Sequence, residues 1–369
     1  MGVRKMIEQG HGNLLIAEVD ALVNTVNTVG VMGKGIALQF KRAFPANFRA
    51  YRTACARGDL QLGQVWLFDT GVLGPRRYIL NFPTKDHWRS QSRLSDIAAG
   101  LDSLVSMVQE HRIRSLAIPA LGCGNGGLDW ADVRPLIEQA CSRMPDVRAV
   151  VFAPEGAPAA ASMPNATPRP ALTPSRALLL TTIARYLGRA ATHEAREGVS
   201  ELEIQKLAYF LQLFGSPLRL EFVRGTYGPY SVGLSRALDT LEGHYLTGIG
   251  DRSAAVTDLA PVNLTPGSAE AAGAALADHP DNSHVLDALL SLVDGFETPY
   301  SLELLATVHY AAIQGPVTAD AEVLARRVSQ WSIRKARMFT DRHIRLAARH
   351  LEEHGLLPSA PLPALSVSP

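Results

Sequence analysis

Cysteine is nearly absent. Cys55, Cys123 and Cys141 are the three in 369 residues, too few and too scattered for a disulfide framework or a cysteine-rich zinc site. Long apolar runs are missing as well: hydrophobic residues make up 47% of the chain, yet no run approaches the ~18 residues of a membrane span. The first ten residues, MGVRKMIEQG, hold no apolar core of a signal peptide. Gly2 lacks the Ser or Thr that a myristoylation signal places at the sixth position. Net charge is only +1, so the chain-wide positive field of a general nucleic-acid binder is absent. No cluster of His, Cys and carboxylate stands at ligand spacing. These absences predict a soluble cytoplasmic protein with no metal, no cofactor and no membrane partner.

What charge there is divides along the chain. Residues 1–155 carry 18 Lys and Arg against 14 Asp and Glu, and the remainder carries 18 against 21. Positions 253–325 hold ten acidic residues and no Lys or Arg, and a basic cluster from Arg326 to Arg349 follows. Such blocks either steer a partner of opposite charge or are solvated helix faces.

Between Pro154 and Ser175 lie six prolines in 22 residues, without a periodic apolar face, which reads as a semi-extended linker over 156–174. Before it, strand patterns (21–26, 65–70, 78–83, 115–120, 149–153) alternate with helical ones (35–44, 47–57, 94–111, 130–143). That alternation predicts an α/β three-layer (α/β/α) domain over 1–155 with a mainly parallel or mixed sheet. After it the periodicity is helical (177–191, 201–214, 284–293, 302–313, 340–354), with a small hairpin near 218–223. Residues 175–357 are therefore expected to form a mainly α second domain, and 358–369 a disordered tail.

Three segments of the first domain carry chemistry. In one, a buried strand ends in Asn24-Thr-Val-Asn27, and a loop containing Gly30 and Gly33-Lys34-Gly35 opens a helix. Glycines let backbone approach a ligand, and free N–H groups at a helix start bind phosphate. No GxxxxGK[ST] occurs, so this is not a P-loop. In the second, the strand 115–120 feeds Gly122-Cys123-Gly124-Asn125-Gly126-Gly127, four glycines in six residues. Ligands of open α/β sheets sit beyond the carboxyl ends of strands, so two such loops can clamp a pyrophosphate between them. In the third, the strand from Tyr78 ends in Thr84-Lys85, with His87, Trp88 and Arg89 close behind. Lys85 is either a solvated strand end or, over an apolar pocket, an amine with lowered proton affinity that can act as a nucleophile. Asp129 is placed as the N-cap of the helix that Trp130 opens.

Taken together, these residues resemble a macrodomain, the ADP-ribose-binding α/β/α module. The signature lies in Gly12-Asn13-Leu14-Leu15, Asp20-Ala-Leu-Val-Asn24-Thr-Val-Asn27, the Gly33–Gly35 loop and Pro119-Ala-Leu-Gly122 through Gly127. The phrases VNTVNTVGVMGKGIALQFK and NFPTKDHWR are similar to the branch that removes ADP-ribose from thymidine bases in DNA as antitoxins, itself similar to the terminal ADP-ribose glycohydrolases of animals. The resemblance implies Lys85 as the catalytic residue. It implies Asn13, Leu14, Asn24, Asn27, Gly33, Lys34, Gly35, Thr84, Gly122, Cys123, Gly124, Asn125, Gly126 and Gly127 as ADP-ribose contacts. Two positions depart from the family. Asn13 stands where most macrodomains carry Asp, although its carbonyl still accepts a hydrogen bond. Gly126 stands where the animal enzymes carry an acid.

The second domain resembles Panacea-type antitoxin domains through Ile204-Gln-Lys206-Leu207-Ala-Tyr209-Phe210 and Gly225-Thr-Tyr227-Gly228-Pro229-Tyr230. The partners so implied are ADP-ribose, ADP-ribosylated (thymidine-linked) DNA and a cognate DNA ADP-ribosyltransferase toxin. A non-catalytic ADP-ribose reader and a hydrolase of protein-carboxylate ADP-ribose remain the alternatives. A reader has no need of a Lys beside the distal ribose.

Overall fold

The computed structural model describes residues 7–190, 196–254, 260–277, 279 and 281–358. The first six residues and positions 359–369 of the expected tail lie outside the described residues. The chain divides into two compact units, residues 1–169 with 250–258, and residues 170–249 with 259–369.

The first unit is built on a six-stranded sheet. In chain order its elements are β1 (Ile7–Gly10), β2 (Ala21–Asn27), α1 (Gly35–Ala43), α2 (Pro45–Arg57), β3 (Trp66–Asp69), β4 (Tyr78–Lys85), α3 (Leu94–Glu110), β5 (Ser115–Ile118), α4 (Trp130–Ser142) and β6 (Arg148–Phe152). The strand order is β1-β6-β5-β2-β4-β3. All neighbours are parallel except β3, which runs antiparallel to β4 at the edge. β2, β5 and β6 read as near-continuous apolar runs because helices cover both faces. Alternate residues of one strand feed different cores. Ala21 and Val23 face α3 and α4 through Ile97, Leu101, Leu104, Val133 and Ile137. Leu22 faces Leu14, Leu15 and Phe40 on the other side. The result is the expected α/β/α sandwich. β1 was not foreseen: as an edge strand of four residues, two of them polar, it has little apolar signal.

The Pro-rich stretch after β6 makes specific contacts inside this unit. Asn13 Nδ2 donates to the Ser162 carbonyl at 3.0 Å, and Ala166 N donates to the Arg42 carbonyl at 2.9 Å.

The second unit is mainly helical, with α5 (Pro174–Ala190), α6 (Glu201–Leu213), α7 (Val232–Leu241), α8 (Ser268–Leu276), α9 (Asp281–Leu292), α10 (Pro299–Ile313), α11 (Ala321–Ser329), α12 (Ile333–Met338) and α13 (Asp341–Glu353). α6 is its centre, buried from Glu203 to Leu211. A capping box starts it, the Ser200 hydroxyl meeting Glu203 N and the Glu203 carboxylate meeting Ser200 N. The hairpin sits later than expected, pairing Val223–Gly225 with Gly228–Tyr230. Gly228 makes its turn possible: its φ is +94°, and a Cβ there would lie 3.0 Å from Thr307 Oγ1.

Folding also mixes the charge blocks that the sequence keeps apart. Arg185 pairs with Asp287 at 3.2 Å, and Arg189 with Asp294 at 3.8 Å. Glu303 of the acidic stretch is buried against Arg334 and Lys335 of the basic cluster, both at 2.6 Å. Asp258 and Asp278 lie outside the described residues. Among the described residues no helix is long and apolar enough to cross a membrane.

The seam between α3 and the sheet generates a stability prediction. A Cβ on Gly100 would overlap the buried Phe82 ring. Gly100→Ala is expected to destabilise the first unit by about 1–3 kcal/mol, the usual cost of overpacking a filled core. Urea denaturation checks this, with Phe82→Leu added to the same chain expected to recover part of the loss.

Candidate functional site

A cleft of about 850 Å³ opens across the carboxyl ends of the parallel strands. Its floor runs from Phe152 and the following 153–158, past Pro119 and Ala120 after β5, to Thr25–Asn27 of β2 and Thr84–Lys85 of β4. The two glycine loops form its walls. A Cβ on Gly35, whose φ is +64°, would stand 3.4 Å from Asn125 Nδ2, so the loops close toward each other there.

Local irregularity places the lysine. β4 pairs in regular register with β2 as far as Val26 and Pro83; the next pair is Asn27 and Lys85, with Thr84 left over as a bulge. Bulges re-aim side chains at strand ends. Lys85 Nζ donates to the Asn125 carbonyl at 2.8 Å, reaching from β4 to the second glycine loop. Partial burial holds its amine below the ordinary lysine range. The neighbouring Asp86 carboxylate is engaged elsewhere, accepting from His87 N at 2.6 Å. The end of β4 is locked to β2 by Thr28, whose N and Oγ1 both donate to the Asp86 carbonyl.

The glycine loops leave donors available. Cys123 N and Gly127 N bond within the second loop, whereas the N–H groups of Gly124, Asn125 and Gly126 have no partner among the described residues. Gly33 N and Lys34 N in the first loop are in the same state. Such an array of unpaired backbone donors near a helix start suits a diphosphate. Gly126 has a steric reason to lack a side chain, since a Cβ there would collide with Ser92 Oγ and the Gly122 carbonyl. An acid of the animal-enzyme kind therefore does not fit this loop.

Of the residues singled out in the sequence, Leu14, Asn27, Gly33, Lys34, Gly35, Thr84, Lys85, Gly122, Gly124, Asn125 and Gly126 line the cleft. Asn13, Asn24, Cys123 and Gly127 are not among its lining residues. Asn24 is fully buried in an asparagine ladder, donating to Asn81 Oδ1 at 3.0 Å, while Asn81 and Asn47 bond each other at 2.8 Å. Asn13 organises the turn beneath the cleft, its Oδ1 accepting from Leu15 N at 2.9 Å. Cys123 is half-buried and its thiol is pushed up to about 11, mainly by burial. Asn27 spends much of its side chain on the loop, donating to the Val31 carbonyl at 2.6 Å and accepting from Val29 N, Val31 N and Tyr51 OH. Asp129 caps α4 as expected, accepting from Ala131 N at 2.9 Å.

Other lining residues carried no assignment. Trp88 stands on the rim, 46% exposed, with the Arg89 guanidinium 4.4 Å from its ring centre. Its position three residues after Lys85 was the available signal. Gln39, Phe152, Asp251 and Ser253 also line the cleft, and the last two come from a distant part of the chain with no motif to mark them.

Gly124 offers a direct test of the loop. A Cβ there meets nothing within 4 Å, so Gly124→Val is expected to fold normally while its branches enter the space beside the free amides. Calorimetry with ADP-ribose should show at least tenfold weaker binding at an unchanged melting temperature.

Comparisons with known proteins agree with the fold. A model of the Macro domain matches residues 23–137. A DNA ADP-ribosyl glycohydrolase of Thermus aquaticus is 46% identical over 354 residues, covering 95% of this chain and 94% of the relative. One from Mycobacterium tuberculosis is 42% identical over 348 residues, covering 93% of this chain and 98% of the relative. Among solved structures, the macrodomain of Mycobacterium tuberculosis DarG is 54% identical, the match covering 40% of this chain and 97% of that one, with a TM-score of 0.40.

Proposed function

This chain belongs to the DarG family of DNA ADP-ribosyl glycohydrolases, and from that premise we propose that it removes ADP-ribose from thymidine bases in DNA, in the cytoplasm, by Lys85-assisted glycosidic cleavage. The observation that carries the reading is the Lys85 amine, half-desolvated and bonded to the very loop whose amides suit a diphosphate. In the proposed reaction the two glycine loops hold the diphosphate and bring C1 of the distal ribose to Nζ, an orientation effect. The neutral amine attacks C1 and forms a C–N bond. The bond from C1 to the base nitrogen breaks, and its electron pair stays on the base, which takes up a proton. Ring opening converts the adduct to an iminium, and water then releases ADP-ribose and regenerates the amine. With no room for an acid at Gly126, Lys85 works without a carboxylate from that loop.

Trp88 and Arg89 favour a nucleic-acid substrate over an ADP-ribosylated carboxylate. An exposed indole beside the reacting centre gives a flipped or neighbouring base a stacking surface, worth ~1–3 kcal/mol per base, and the adjacent guanidinium suits a phosphate.

The second domain, expected over residues 175–357, completes the proposal by binding and neutralising a cognate DNA ADP-ribosyltransferase toxin. The relatives share this unit, since the match spans nearly their whole length. A Thermosipho africanus relative, 36% identical over 141 residues, is named as a transferase–glycohydrolase fusion on one polypeptide, of which the match covers 36%. In that unit α6 is largely interior, and Asp287 and Glu303 of the acidic stretch already have ion-pair partners.

Lys85→Ala is expected to abolish release of ADP-ribose from a thymidine-modified oligonucleotide, read by mass, while ADP-ribose binding persists. Activity retained within about tenfold, ~1.4 kcal/mol of barrier, would reject Lys85 as nucleophile. An ADP-ribosyl-glutamate peptide in parallel tests the alternative substrate.

A pH profile adds a second readout. The attacking form is the neutral amine, and burial lowers the Lys85 pKa. Single-turnover rate should therefore rise with pH and level off below the ordinary lysine range; a rate that falls across that interval contradicts the assignment.

A further inference from the structure

Helix α1 begins without a side-chain cap: Lys34 occupies the N-cap position and makes no capping bond. The first amides of a helix have no partner of their own. Here the Asp251 carbonyl accepts from Gly35 N at 2.8 Å, so the helix is capped by a residue more than two hundred positions downstream. Two further bonds follow along the same helix. Gln39 Nε2 donates to Asp251 Oδ2 at 2.7 Å, and an Arg42 guanidinium N–H donates to the Gly250 carbonyl at 2.6 Å. Gly35, Gln39 and Arg42 recur at the spacing of one helix face, and Gln39, Arg42 and Asp251 are all buried by the contact.

The turn that makes these bonds is itself over-determined. Asp251 Oδ1 accepts from both N and Oγ of Ser253, and Gly250 and Arg252 sit at φ +59° and +65° on either side. A left-handed non-glycine residue persists only where its surroundings hold it. Residues 250–258 sort with the first unit although the chain on both sides belongs to the second. Asp251 and Ser253 line the cleft beside Gly33–Gly35.

We propose that Gly250–Ser253 is a strap that splints α1, and that Asp251 is a positioning residue for ADP-ribose. It fixes the first glycine loop in a ligand-ready backbone, so that affinity for the diphosphate depends on a side chain from the later half of the chain. This rests on the cleft being an ADP-ribose site. Preorganising a loop raises affinity by removing the cost of ordering it on binding, and Asp251 acts here through Gly35 and Gln39.

The test is calorimetry of ADP-ribose with the full chain, beside Asp251→Ala, Gln39→Leu, the double variant and Asp251→Asn. Each single loss should weaken Kd about tenfold, and the double variant should be no weaker than Asp251→Ala alone, because that variant already removes the Gln39 contact. Asp251→Asn should stay within threefold of the parent, since its carbonyl still accepts from Ser253 and the Gln39 amide can turn to meet it. On ADP-ribosylated oligonucleotide, KM should rise with kcat changed less than threefold. If Asp251→Ala does not fold, as its melting curve would show, Gln39→Leu decides alone, because it leaves the strap intact and removes one donor. Unchanged affinity in folded variants overturns the proposal, as does tighter binding, which would make the strap a plug. A parent chain that binds no ADP-ribose would instead remove the functional reading beneath it.

Discussion

The hydrogen bond from Lys85 to the Asn125 carbonyl joins the proposed nucleophile to the loop proposed to cradle the diphosphate. A nucleophile gains from a bound substrate only if its position is referenced to whatever holds that substrate. Here the amine comes from the bulged end of β4 and the cradle from the loop after β5, with β2 between the two strands in the sheet. The contact spans that gap. It also suits the chemistry, because an amine that has lost its proton still donates to a carbonyl. Full burial would bar the substrate, and full exposure would restore the proton; partial burial in the cleft floor lies between these limits.

Much of the first unit was legible because local signals agreed with the fold. Ala21–Asn27 and Ser115–Ile118 are apolar-rich stretches that lead into glycine loops, and sheets buried on both faces leave that mark. What the pattern left ambiguous was the use of each polar residue. Asn24 and Asn27 look equivalent in VNTVN, yet strand alternation sends Asn24 into a buried ladder with Asn81 and Asn47, while Asn27 shapes the loop at the strand end. Asp251 was illegible for another reason: its role depends on contacts with Gly35 and Gln39, more than two hundred positions away in the sequence, and no local periodicity encodes that. In the second unit α7, α8, α11 and α12 were missed, stretches of ten, nine, nine and six residues with no glycine loop or strand alternation to mark them.

Charge separation along a sequence proved a poor guide to charge separation in space. The acidic block and the basic cluster exchange partners on folding, and Glu303 is buried with Arg334 and Lys335 around it. A buried carboxylate requires such company, since without its partners it would be a charge with neither water nor counterion. Arg334 and Lys335 therefore serve the interior of the second unit.

The account turns on Lys85 as a covalent nucleophile, and reductive trapping tests that most directly. The full chain would be mixed with ADP-ribosylated oligonucleotide in the presence of borohydride, digested, and its peptides weighed. The account predicts an ADP-ribose-derived mass on the peptide bearing Lys85, stable because the iminium has been reduced to an amine. Complete turnover with Lys85 unmodified would contradict it.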